Sequence, residues 1–131
     1  MWFSPDSLDG AAALLAEHGA GLRIIAGGTD LMVERKLGAA DPATGWLDLS
    51  RVQVLNGITT EGGALRIGAA TPLRSIGQDP DVRACFPMLA QSAAVTGATP
   101  IQNRATLGGN IANASPAADN PPVMLAYRAS V

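Results

Sequence analysis

Cysteine is almost absent from this chain of 131 residues, which contains only Cys85. An internal disulfide, a structural zinc site and a cysteine-ligated iron–sulfur cluster each need several thiolates, so this chain forms none of them alone. Any metal ion or cluster involved in its function must belong to another chain. Cys85 itself lies in a predicted helix beside Phe86, where a buried structural thiol is expected.

Blocks of positive charge and long apolar runs are also lacking. Nine Lys and Arg residues stand against 11 Asp and Glu, and the net charge is −2. Without a basic patch the chain does not have the electrostatic footprint of a nucleic-acid-binding protein. No apolar run approaches the roughly 18 residues of a membrane span, and the N-terminus has no positively charged leader, so a cytoplasmic protein is expected.

The first fifty residues predict a small α/β unit. Helical spacing runs over Leu8–His18 and ends at a glycine, and a short β-branched strand follows at Leu22–Ala26. Two glycines then lead into a second helix at Thr29–Leu37. A second strand at Trp46–Leu49 is reached after the Pro42 loop, and we expect the two strands to pair in parallel.

The remaining chain predicts a hairpin and helices. The segments Asn56–Thr60 and Ala64–Gly68 flank a glycine turn, which indicates antiparallel strands. A short helix is expected from Pro72 to Ile76, and a longer one from Val82 to about Thr96. Residues 97–122 show almost no periodicity and are rich in Asn, Ser, Thr, Gly and Pro.

A first candidate site lies where the strand Ile24–Ala26 delivers Gly27 and Gly28 to a helix start. Such a turn gathers unpaired backbone N–H groups at the positive end of the helix dipole, which suits a phosphate. The Thr29 hydroxyl adds a hydrogen-bond donor, and the Asp30 carboxylate is expected to serve the helix start. The alternative is a plain tight turn between strand and helix. The segment matches neither a Walker A loop nor a GxGxxG fingerprint.

A second candidate site is the segment Asn103–Asp119, where two more glycines stand among short polar side chains. Backbone amides and such side chains together suit a ligand with many oxygens, such as a nucleotide, although a structural loop that satisfies its own backbone is the alternative. One helix terminus contributes about 0.3–2 kcal/mol to the free energy of binding an anion, whereas a nanomolar Kd needs a binding free energy of about 12 kcal/mol. The two glycine turns are therefore expected to converge on one ligand.

Other candidates for chemistry are weaker. His18 closes a helix and is expected to be structural, and Ser115 has no histidine partner other than His18, so a serine-nucleophile triad is not expected. Arg104 either meets a phosphate, pairs with Asp119 or lies on the surface. No catalytic acid or base is assigned.

Two segments carry a family resemblance: Ile25–Leu31 and Arg104–Asp119. Together with Phe3-Ser4-Pro5 and Ile67–Leu73, they resemble the FAD-binding subunit or domain of molybdenum hydroxylases, the xanthine dehydrogenase and carbon monoxide dehydrogenase medium-subunit family. The resemblance implies an α+β fold of the PCMH type, similar to vanillyl-alcohol oxidase. It implies a small α/β FAD-binding subdomain at residues 1–55 and a larger, incomplete α+β subdomain with an antiparallel sheet at 56–131.

The same resemblance implies the cofactor, its contacts and the partners. FAD is expected to meet residues of both motifs, namely Ile25, Ala26, Gly27, Gly28, Thr29, Asp30 and Leu31 of the first and Thr106, Gly108, Gly109, Asn110, Asn113, Ser115 and Asp119 of the second. Electrons are expected to come from an iron–sulfur subunit and a molybdopterin subunit and to leave to NAD+ or another acceptor. The alternative is a truncated, non-catalytic module for subunit association or nucleotide binding.

The chain also departs from the family pattern. The segment 97–102 differs from the usual run before the second motif, and a changed loop near the cofactor is expected. The family continues well beyond the equivalent of Ala126, so truncation is expected, with Arg128–Val131 as the beginning of a strand. The isolated chain is then expected to bind FAD weakly or not at all and to be inactive.

Overall fold

The first part of the chain forms a three-stranded parallel sheet with two helices. A computed structural model describes residues 1–38, 43 and 45–131, so the expected Pro42 loop lies outside the described residues. The elements are β1 (Trp2–Phe3), α1 (Leu8–His18), β2 (Leu22–Ile25), α2 (Thr29–Lys36) and β3 (Gly45–Asp48), and the strand order is β1-β3-β2. The predicted strand–glycine–helix unit and its parallel pairing are confirmed. Strand β1 was not predicted, because two residues carry no periodicity.

Local chemistry explains where α1 begins and ends. The Ser7 side chain accepts a hydrogen bond from the Gly10 amide at 3.2 Å, which caps the helix. The helix ends at Gly19, whose φ of 51° is one that a side chain disfavours. The ring of His18 stacks on Phe3 with centroids 5.0 Å apart, in keeping with its expected structural role. A small core of Ala11, Leu22 and Leu47 joins α1 to the sheet.

The second part of the chain is a hairpin packed with six helices. Strands β4 (Ile58–Glu61) and β5 (Ala64–Ile67) pair antiparallel, as predicted. The helices are α3 (Leu73–Gln78), α4 (Pro80–Cys85), α5 (Pro87–Val95), α6 (Thr99–Gln102), α7 (Leu107–Asn113) and α8 (Asn120–Ala126). Their shared core is built on Leu73, Ile76, Val82, Leu89 and Ala93. The mixture of parallel sheet, antiparallel hairpin and helices confirms the α+β class, whereas the subdomain boundary between residues 55 and 56 stays a prediction.

The single helix expected from Val82 to Thr96 is wrong, because the structure has two helices there. Pro87 has no N–H to continue the helical ladder, and Phe86 leaves the helical region with φ −132° and ψ 56°. The Phe86 amide still bonds to the Val82 carbonyl at 2.8 Å and closes α4. The break also turns Cys85 outward, so the expected buried thiol is wrong and this side chain is exposed.

The end of the chain also differs from the expectation. Residues 97–122, which lack periodicity, contain α6 and α7 and the start of α8, each too short to give a periodic signal. Residues 128–131 form no strand: Arg128 has φ 54°, and the Ala129 amide bonds back to the Met124 carbonyl at 2.9 Å to close α8. Within the described ranges, no helix is long and apolar enough to cross a membrane.

Candidate functional site

The first motif presents free backbone donors at the start of α2. Gly28 is the residue before the helix, with φ 70° and ψ 9°, and it supplies no side-chain cap. The first bond into the helix is from the Met32 amide to the Gly28 carbonyl at 3.0 Å. The amides of Thr29, Asp30 and Leu31 precede that bond and donate to no acceptor in the described part of the chain. Free amides at a helix start can bind an anion.

The second motif has a different helix start. The Thr106 hydroxyl caps α7 by accepting from the Gly109 amide at 3.1 Å, and the Gly108 amide donates to the Ala69 carbonyl at 2.8 Å. The Leu107 amide donates to the carbonyl of Thr71 at 3.2 Å. Backbone amides of this motif were expected to face the ligand, but these three donate to acceptors within the protein. The motif therefore offers side chains to a ligand.

Glycine at position 27 allows the two motifs to meet. A methyl group on Gly27 would overlap the carbonyl oxygen of Arg104 and lie 2.8 Å from its carbonyl carbon. A methyl group on Gly108 would lie 2.7 Å from the Ala69 carbonyl oxygen. These glycines are required by backbone packing within the protein, in addition to any role toward a ligand. The predicted convergence of the two turns is present in the structure.

A hydrogen bond joins the motifs at their exposed side. The Asn113 Nδ2 donates to the Asp30 Oδ2 at 3.0 Å, across 83 residues of sequence. Asp30 lies in the first turn of α2, where a carboxylate favours the positive end of the helix dipole as expected, and its Oδ2 in addition joins the other motif. This bond uses one carboxylate oxygen near the free amides of α2.

A cleft of about 610 Å³ lies between the motifs, within the size range of cofactor sites. Eleven of the predicted site residues line it: Ala26, Gly27, Gly28, Thr29, Asp30, Leu31, Thr106, Gly108, Gly109, Asn110 and Asn113.

Three predicted residues lie outside the lining. Ile25 is buried, with its Cδ1 2.8 Å from where a Gly28 methyl group would stand. Ser115 accepts from the Ala117 amide at 3.3 Å, and the Asp119 Oδ2 is 3.5 Å from the Thr96 hydroxyl. A direct contact of these three with the cofactor stays a prediction.

The apolar part of the lining was missed by the sequence analysis. Its larger members are Leu22, Ile24, Leu49, Leu55 and Ile101. Ile24 and Ile101 keep 46% and 42% of their surface exposed, which is unusual for isoleucine and suits contact with a ring system. Leu22 and Ile24 share β2, but Leu49, Leu55 and Ile101 come from other parts of the chain that only the tertiary fold brings beside them, so no periodic signal links the set.

The cleft has few charges. Arg23 and Asp30 are its ionisable lining residues, and the Arg23 Nη2 lies 3.5 Å from the Glu34 Oε2. No group of three or more His, Cys, Asp or Glu side chains able to hold a metal ion occurs among the residues that the structure covers. The site thus combines backbone donors and amide side chains with apolar surface, a donor set that suits an organic cofactor bearing an anionic group.

A cleft lined by a helix start with free amides and by apolar side chains is typical of proteins that bind a nucleotide cofactor. A family model described as "FAD binding domain in molybdopterin dehydrogenase" matches residues 1–131. The chain belongs to this family, and its cofactor is FAD. The resemblance stated from the two motifs is therefore confirmed.

Individual relatives agree with this assignment. The chain is 35% identical over 128 residues to the carbon monoxide dehydrogenase medium chain of Hydrogenophaga pseudoflava. The matched residues are 98% of this chain and 44% of the relative. It is 34% identical over 110 residues to a putative xanthine dehydrogenase FAD-binding subunit of Escherichia coli K12, covering 83% of this chain and 37% of the relative. The chain thus spans less than half the length of these relatives.

Solved structures show the same fold. The structure of carbon monoxide dehydrogenase from Hydrogenophaga pseudoflava matches with a TM-score of 0.87 and 36% identity, over 92% of this chain and 42% of that one. Quinoline 2-oxidoreductase from Pseudomonas putida 86 matches with a TM-score of 0.80 and 32% identity, over 87% of this chain and 39% of that one. The expected fold class is confirmed.

Proposed function

We propose that this chain is the FAD-binding, electron-transfer component of a molybdopterin-dependent dehydrogenase. In this role it accepts electrons from the iron–sulfur clusters of a partner subunit, and passes them through FAD to NAD+ or another acceptor. A molybdopterin subunit of the same complex would oxidise the substrate. The observation that carries the proposal is the meeting of both glycine motifs at one cleft beside the free amides of α2.

The residues of this chain bind and orient the cofactor. The amides of Thr29, Asp30 and Leu31 would hold the FAD diphosphate, and Asn110 and Asn113 of the second motif also line the cleft. The bound flavin supplies the redox chemistry. The apolar residues of the cleft exclude water from the face that they cover. No acid or base of this chain is needed for electron transfer.

The partners proposed here follow from chemistry and from the relatives. These 131 residues contain one cysteine, too few thiolates for an iron–sulfur cluster, which supports a partner subunit as the source of the electrons. One relative is named as a medium chain of carbon monoxide dehydrogenase and another as caffeine dehydrogenase subunit beta. The electron acceptor, NAD+ included, and the cytoplasmic location stay predictions.

The direct test is reconstitution with FAD. The 131-residue chain and a version extended at the C-terminus are titrated with FAD to about 1 mM, which detects a binding free energy of about −4 kcal/mol. Quenching of flavin fluorescence and a visible absorbance that survives desalting are the readouts. The proposal expects saturable binding by the extended version, with weaker binding by the shorter chain. Failure of both to bind FAD would refute it.

A second experiment separates electron transfer from a non-catalytic role. The chain is combined with its iron–sulfur and molybdopterin partners, and the absorbance of the bound flavin is followed after substrate is added. Bleaching that depends on substrate supports the proposal. A stable complex that binds FAD but shows no such bleaching would favour the alternative of a module for subunit association or nucleotide binding.

A further inference from the structure

One completely buried polar side chain connects three helices next to the cleft. Asn120, at the start of α8, has 0% of its surface exposed. Its Oδ1 accepts from the Ser92 hydroxyl at 2.9 Å, and its Nδ2 donates to the Thr96 hydroxyl at 3.2 Å and to the Asn110 Oδ1 at 3.1 Å. Burying a carboxamide is costly unless it is hydrogen-bonded, and both N–H groups and the oxygen are used here.

Two partners of Asn120, Thr96 and Asn110, line the cleft. The Thr96 hydroxyl donates its hydrogen to the Ser92 carbonyl at 2.8 Å, so this donor is committed inside the protein. Asn110 is different, because its oxygen is held while its Nδ2 bonds to none of the described residues. Among those residues no buried side-chain N or O lacks a partner, so the Asn110 Nδ2 is accessible to solvent.

The direction of the Asn110 carboxamide follows from the chemistry of its partner. The Nδ2 of Asn120 is a donor only, and the acceptor within the Asn110 carboxamide is Oδ1. Bonding between them therefore turns the donor end of Asn110 away from Asn120. Phosphate oxygens of a bound dinucleotide are acceptors, so this orientation is the one that matches them.

Building on the proposed function, we propose that Asn120 is a positioning residue for FAD. It holds the Asn110 oxygen, so that the Asn110 Nδ2 faces the cleft and donates to an oxygen of the FAD diphosphate–ribityl chain. Asn120 itself touches no cofactor. Its influence on affinity passes through Asn110.

A double-mutant cycle tests this route. Asn120→Leu and Asn110→Ala are each expected to weaken FAD binding about tenfold, and the pair is expected to bind no more than about twofold worse than Asn110→Ala alone. Ser92→Ala is the matched control, because it removes the bond to the Asn120 oxygen and leaves the Asn110 contact. It is expected to lower the Tm and leave the Kd for FAD within about twofold. Additive losses in the double variant would overturn the proposal.

Two further measurements test the proposal if a variant does not fold or if the chain does not bind FAD. In the unsubstituted protein, the Asn110 side-chain amide signals in a ¹⁵N NMR spectrum are expected to shift with FAD, and unchanged signals at saturation would contradict the proposal. If no FAD binds to the chain or to its extended version, the proposed function fails. Unfolding of the single and double variants without FAD still tests Asn120, since an absence of coupling between positions 110 and 120 would overturn its positioning role.

Discussion

A negative charge at the start of α2 should act oppositely on folding and on cofactor binding. Thr29 is the first residue of α2 and lines the cleft, and its amide is one of the three free donors. Thr29→Asp places a carboxylate at the positive end of the helix dipole, which stabilises a helix by about 0.3–1 kcal/mol. The same carboxylate would stand beside the site that we assign to the FAD diphosphate.

The expected loss of affinity is much larger than the gain in stability. At about 5 Å and an effective dielectric constant of about 20, two unit charges repel by about 3 kcal/mol. With about 1.4 kcal/mol for each factor of ten, the Kd for FAD should rise about a hundredfold or more. Since salt shortens the Debye length to about 3 Å at 1 M, much of this loss should disappear at high ionic strength.

The assay compares three variants by FAD titration and by urea unfolding. Thr29→Asn is the neutral control, because it alters the same position without adding charge. Val33→Asp is the charge control: Val33 lies one turn further along α2, is 55% exposed and is outside the cleft. Only Thr29→Asp should combine undiminished stability with a large, salt-dependent loss of FAD affinity. Equal affinities of the Asp and Asn variants at position 29 would refute the placement of the diphosphate.

Two predictions concern the fold that supports the cleft. Gly27→Ala should lower the free energy of unfolding by about 3 kcal/mol, because the added methyl group overlaps the Arg104 carbonyl. The control Gly62→Ala, at φ 57° with no atom within 4 Å, should lower it by only about 1–2 kcal/mol. Equal losses in urea unfolding would contradict the steric reason. Asp79→Ala should cost about 1 kcal/mol, since the Asp79 Oδ1 accepts from two amides at the start of α4. Asp81→Ala keeps that cap and should cost less, so a larger loss for Asp81→Ala would argue against the capping role.

The elements that sequence patterns predicted correctly are those with strong local signals. The helix at Leu8–His18 has a serine cap, an apolar stripe and a terminal glycine, and the structure places it at the expected residues. The hairpin was likewise visible from its glycine turn. Where tertiary structure decides, prediction failed: β1 consists of two residues, and it exists because β3 offers a parallel partner to Trp2 and Phe3.

In the candidate site, too, local motifs could be predicted from sequence and tertiary contacts could not. The glycine motifs could be found from sequence, and eleven of the fourteen predicted residues line one cleft. What each glycine does was not visible, because the contact between Gly27 and the Arg104 carbonyl joins positions that are far apart in sequence. Asn120 was also missed, since an asparagine at a helix start is ordinarily a cap. Only the fold shows that its carboxamide is buried among Ser92, Thr96 and Asn110.

The starts of α2 and α7 illustrate how one structural device serves two purposes. Every helix begins with amides that lack intrahelical partners, and these amides are bonded by the protein, by water or by a ligand. At α7 the Thr106 hydroxyl and two carbonyls bond them, so this terminus contributes to folding. At α2 the residues that carry the corresponding amides line a cleft, and under our proposal phosphate oxygens of FAD would accept from them there. Substitutions at Thr106 should therefore change stability first, and substitutions at Thr29 should change affinity first.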